Sequence, residues 1–148
     1  MASSNKKDER GLRGDSNSIP YLTDSRNGTS YQNERGVGEG LRRSGLCREE
    51  VFITSKLNNP FHEPAAARRA FAQTLEDLQV EAVDLFLIHW PLPMHYGGDF
   101  VSTWKVLEEF LAQGRALAIG VSNFEPHHVE ALLEAGCSTP MVNQIGRA

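Results

Sequence analysis

A chain of 148 residues is about one domain, long enough to bury a core. Its 15 Lys and Arg against 19 Asp and Glu leave a formal net charge of −4, which excludes the basic footprint of a nucleic-acid-binding protein. Two cysteines without metal or redox spacing, an opening stretch with no apolar signal-peptide core and no apolar run of membrane-spanning length point to a soluble, reduced, cytoplasmic protein that uses neither membrane nor metal.

Residues 1–29 are rich in Ser, Asn, Asp, Arg and Gly and hold no sustained apolar pattern. They are expected to form an irregular or disordered segment that adds little to the core, leaving 30–148 as the domain. "NERGVGEGLRRSG" is a helix candidate weakened by Gly36, Gly38 and Gly40, each costing about 1 kcal/mol against Ala. "EVFITSKL" reads as the first strong strand. Pro64 suits a first helical turn, and "AAARRAFAQTLEDL" sets Ala67, Phe71, Leu75 and Leu78 on one stripe. "VDLFLIHW" is apolar on both faces, as in a parallel sheet covered by helices, and Pro91 ends it. A helix over 102–112 places Trp104, Leu107, Phe110 and Leu111 on one face and closes at Gly114. "ALAIGVSNF" is the next strand, and Asn123 and Pro126 begin a shorter helix whose apolar side holds Val129, Leu132 and Leu133. "PMVNQI" is the last strand. Strands alternating with helices, the first three strands spaced by roughly the length of one βα unit, predict a parallel α/β fold with about four strands.

Such folds place functional residues where strands open into loops at the sheet's C-terminal end. Those positions carry Lys56, His89 and Trp90, Ser122 and Asn123, and Gln144. Each also has an ordinary structural reading: a solvated lysine, a packed histidine, a Ser-Asn pair capping a helix. Their occurrence at the same end of successive strands favours a single shared mouth.

Four stretches, "SYQNERGVGEGLRRSGLCREEVFITSKL", "VDLFLIHWPLP", "AIGVSNFEPHHVEALL" and "VNQI", resemble the aldo-keto reductase superfamily, and most its bacterial members that reduce diketo-gluconate-type and other small carbonyls. The resemblance implies part of a (β/α)₈ TIM barrel and reduction of aldehydes or ketones with NADPH, or NADH in its place. It implies Tyr31 as the acid that protonates the developing alkoxide, with Lys56 lowering the phenol pKa from its usual value of about 10. It implies His89 as the group orienting the carbonyl and Trp90 as a wall of the substrate pocket. Ser122, Asn123 and Gln144 match the groups that hold the nicotinamide carboxamide.

The sequence also departs from the family pattern. Arg26 stands five residues before Tyr31, where the family carries the aspartate that pairs with the lysine. "SIPYL" resembles the family's Ile-Pro-x-Leu-Gly segment, and "VNQIGRA" falls before its seventh and eighth strands. On that reading the chain is a central excerpt, and four strands leave two edges without partners. The alternative to an enzyme is therefore an inactive partial barrel that associates with itself or with a full-length relative. Apolar side chains such as Val51, Ile53, Leu85, Leu87, Ile119 and Val121 are expected to be imperfectly buried.

Overall fold

A computed structural model of the chain describes residues 21–22 and 33–146. Its strands are Tyr21–Leu22 (β1), Phe52–Leu57 (β2), Val83–Ile88 (β3), Ala116–Ser122 (β4) and Asn143–Gln144 (β5). Its helices are Glu34–Ser44 (α1), Pro64–Leu78 (α2), Phe100–Ala112 (α3) and Pro126–Glu134 (α4). The strands lie in chain order and each pairs in parallel with the next, the sequential winding of a (β/α)₈ barrel. They form a half-barrel with helices in the crossovers.

Within 1–29 the described residues are Tyr21 and Leu22, which pair with Phe52 and Ile53. A two-residue strand is too short to show alternation. Tyr31 and Arg26 lie outside the described residues.

Helix ends follow local chemistry. The Glu63 carboxylate accepts from the N–H groups of Ala65 and Ala66 at 3.2 and 2.9 Å, and Pro64 takes the position where no N–H is needed. α3 begins at Phe100, two residues before the expected start, because the Asp99 carboxylate accepts from Ser102 N–H at 2.8 Å and caps it. α4 is capped by Glu125, not Asn123. Leu133, expected on its apolar side, is exposed, while Leu132 is fully buried.

The apolar stripe of α2 packs as expected, with Ala67, Phe71, Leu75 and Leu78 all buried. Phe71 stacks on Phe110 of α3 at 4.0 Å between ring centroids and meets Phe86 of β3 at 4.6 Å. Phe86 thus faces the helices, and so do its register partners Ser55 and Ile119. The adjoining row, Lys56, Leu87 and Gly120, points to the opposite face. The six side chains expected to be imperfectly buried are all within the interior: Val51, Ile53, Ile119 and Val121 in the helix-covered core, Leu85 and Leu87 on the other face. Exposed apolar groups instead cluster beside β5, at Met141, Val142 and Ile145.

At the N-terminal end of the strands, Arg48 donates to the carbonyls of Val51 and Ala82 and to the Asp84 carboxylate, at 2.7, 3.1 and 2.6 Å. The same Asp84 oxygen accepts from Ile53 N–H at 2.7 Å. A side chain here extends the β2–β3 pairing one residue below Thr54 and Leu85, where the ladder starts.

Candidate active site

The site is built from strand register. Lys56 lies inside β2, one residue before its end, opposite Leu87. Alternate residues of a strand share a face, so the next position outward on the face of Lys56 and Leu87 belongs to His89. His89 is the first residue beyond β3 and donates its backbone N–H to Leu57 O at 3.2 Å. At that level of β4 and β5 stand Ser122 and Gln144, which are register partners. Lys56, His89, Ser122 and Gln144 therefore lie on one face, the one away from the helices, at the C-terminal ends of successive strands.

Electrostatics tie two of them together. The His89 imidazole is half-buried, and its pKa is held below the usual histidine value, first by burial and then by the charge of Lys56. It is neutral at pH 7 and carries one N–H donor. A neutral donor beside an ammonium group suits an oxygen that gains negative charge. Trp90 follows at the rim, 43% exposed, its ring centroid 6.2 Å from that of His89.

Asn123 does something the sequence did not disclose. Its backbone is left-handed, at φ 58°. Its amide nitrogen donates to His89 O and to Ser122 Oγ, each at 3.1 Å, and its Oδ1 accepts from Gly146 N–H at 3.1 Å. Ser122 Oγ donates to Gln144 O at 2.7 Å, and Asn123 N–H donates to the same carbonyl at 3.0 Å. These bonds join the ends of β3, β4 and β5. The alternative reading of Ser122 and Asn123 as a helix cap is not realised. Asn143, absent from the sequence candidates, exchanges side-chain hydrogen bonds with both backbone groups of Phe124. Its only signal was adjacency to Gln144.

The Gln144 side chain is exposed and makes no hydrogen bond among the described residues. No group of three or more His, Cys, Asp or Glu among the described residues could hold a metal ion. No helix among them is long and apolar enough to cross a membrane.

The sequence profile described as "Aldo/keto reductase family" matches residues 27–146. The chain belongs to the aldo/keto reductase family. It is 47% identical over 116 residues to the glyoxal reductase of Bacillus subtilis, a match covering 78% of this chain and 40% of that protein. Among solved structures, the aldo/keto reductase of Brucella melitensis superposes with a TM-score of 0.74 at 39% identity, covering 80% of this chain and 46% of that one. The Bombyx mori aldo-keto reductase, crystallised in complex with NADP, gives a TM-score of 0.72 at 32% identity, covering 80% and 42%. The chain thus spans less than half the length of these aldo-keto reductases.

Proposed function

We propose that this chain serves the NADPH-dependent reduction of a small aldehyde or ketone to an alcohol. The carrying observation is the register that brings Lys56, His89, Ser122 and Gln144 to one face at one end of the sheet. Tyr31 is the proton donor in this reading. An ammonium group stabilises a phenolate and so lowers its pKa towards neutrality, the task this reading gives to Lys56. His89 donates its single N–H to the carbonyl oxygen and orients it, and Trp90 walls the pocket. The name of the Bacillus subtilis relative makes a glyoxal-type carbonyl the first substrate to try.

The residues fit a nicotinamide carboxamide. Gln144 offers an amide donor for a carbonyl oxygen. Ser122 Oγ and Asn123 Oδ1, each already accepting one hydrogen bond, keep a lone pair for an amide N–H. When bound, the nicotinamide supplies the hydride.

The test is loss of NADPH absorbance with glyoxal as substrate, alongside nucleotide binding measured with NADPH and with NADH. Tyr31→Phe should remove most turnover while leaving nucleotide affinity nearly unchanged, since it takes away only the proton donor. His89→Gln should lower turnover less completely. Full activity in Tyr31→Phe would refute the assignment.

One observation favours a second reading, an inactive chain that associates with its own copies. Met141, Val142 and Ile145 are 58%, 38% and 64% exposed beside the short edge strand β5. An apolar strand edge is a template for pairing with another chain.

A further inference from the structure

The loop over 89–99, between β3 and α3, is built from an unusual backbone. Leu92, Tyr96, Gly97 and Gly98 all have positive φ, at 48°, 53°, 64° and 76°. An aromatic residue in the left-handed region is uncommon and persists only where its surroundings hold it there. Beyond His89, whose N–H reaches Leu57 O, the loop's backbone bonds are local: His95 N–H to Leu92 O, Gly98 N–H to His95 O and Asp99 N–H to Tyr96 O. Its side-chain tie to the neighbouring loop runs through Tyr96. The phenol O–H donates to Asn59 O at 2.8 Å, in the loop after β2. The Tyr96 ring lies parallel to that of His62, 6° between planes and 5.4 Å between centroids.

His62 is a fixed base for that ring. It is 1% exposed, and its carbonyl accepts from Thr103 Oγ1 of α3 at 2.7 Å. Its Nε2 has no hydrogen-bond partner among the described residues, a cost that an apolar side chain would not carry. Burial holds the pKa down at about 4, so the ring stays neutral around pH 7. What this flat, buried ring provides is a platform for Tyr96.

We propose that Tyr96 and His62 are positioning residues, a clasp between the two loops that sets where the 89–99 loop holds Trp90. The functional consequence rests on the reading of Trp90 as the wall of the carbonyl pocket, but the clasp itself can be tested without turnover. Trp104 is fully buried and Trp90 is 43% exposed, so acrylamide quenching of tryptophan emission reports Trp90.

Tyr96→Phe keeps the ring and removes the hydrogen bond to Asn59. Losing one such bond should speed hydrogen exchange of the Gly98 and Asp99 amides by about three- to ten-fold. Tyr96→Ala, which removes the stack as well, should speed it further. His62→Leu, which keeps the site filled but takes away the flat partner, should act in the same direction. Quenching of Trp90 should rise in the same order, with far-UV circular dichroism unchanged, and KM for the carbonyl should rise more than kcat falls. Unchanged exchange and quenching in Tyr96→Ala would overturn the clasp. Faster exchange and greater quenching with an unchanged KM would confirm the clasp and refute the pocket-wall reading of Trp90.

Discussion

The three glycines of α1 are chemically equal in sequence and unequal in structure, and this sets up an internally controlled experiment. A Cβ built on Gly36 or Gly40 meets nothing within 4 Å. One built on Gly38 would lie 2.6 Å from Leu78 O, 2.7 Å from Asp77 O and 2.8 Å from Leu78 C, all backbone atoms at the end of α2. Replacing glycine by alanine in a helix interior gains about 1 kcal/mol, chiefly by restricting the unfolded chain, and that gain is common to all three positions. Ordinary contact between carbon atoms is roughly 3.5 Å or more, so alanine at 38 must push α1 from α2 by close to 1 Å. Overpacking of this kind costs about 1–3 kcal/mol. Gly36→Ala and Gly40→Ala should each raise the urea midpoint by the equivalent of about 1 kcal/mol, and Gly38→Ala should fall below both by about 1–3 kcal/mol. The assay is urea unfolding followed by far-UV circular dichroism at one fixed chain concentration. If Gly38→Ala rises as far as Gly36→Ala, the close approach of the two helices is not what this reasoning takes it to be.

Acid should destabilise the fold through buried neutral histidine. His62 has a folded pKa of about 4 against 6.5 unfolded, so the unfolded chain binds more protons between those values and stability falls as pH drops through them, by up to about 3 kcal/mol. His89 and His128 are shifted the same way by burial, so His62→Gln should flatten the pH dependence of the urea midpoint without abolishing it; an identical slope in variant and wild type would refute the assignment. Asp84→Ala leaves Arg48 without its carboxylate, with only the Val51 and Ala82 carbonyls, and strands the Ile53 N–H, and should cost about 2–3 kcal/mol in a thermal melt, with Asp84→Asn costing less because it keeps an acceptor. In size-exclusion chromatography with light scattering, the chain should run above its monomer mass and shift towards it when Met141→Lys and Ile145→Lys charge the β5 edge; a monomer at every concentration would rule that edge out as an interface.

What could be read in the sequence was whatever had length and period. The Ala67, Phe71, Leu75, Leu78 stripe and the runs that became β2, β3 and β4 each span enough residues for periodicity to appear, and all were placed within a residue or two. Lys56, His89, Ser122 and Gln144 could be grouped because strand ends follow from strand positions. β1 could not, since two residues carry no alternation, and its partners are set by the β2 backbone. Asn123 looked like a cap because caps favour its side chain; Glu125 took that place, and a left-handed turn aimed Asn123 across the strand ends instead. Burial of Leu85 and Leu87 and the close approach at Gly38 depend on which elements meet, and no local pattern reports that. The His62–Tyr96 pair sits in two aperiodic loops, where prolines and glycines such as Pro91, Gly97 and Gly98 mark irregular backbone but do not say which side chains meet.

Three of the atoms that Asn123 and Ser122 grip at the strand ends, His89 O, Gln144 O and Gly146 N, belong to the main chain. Main-chain atoms are present whatever side chain a position carries. The frame of the mouth is thus separable from the side chains it presents: positions 89 and 144 can be rewritten while the strand ends stay joined. Position 123 has no such latitude, because there the side chain itself is the fastening. A mutational scan of this region should accordingly find broad tolerance of folding at 89 and 144 beside a narrow one at 123.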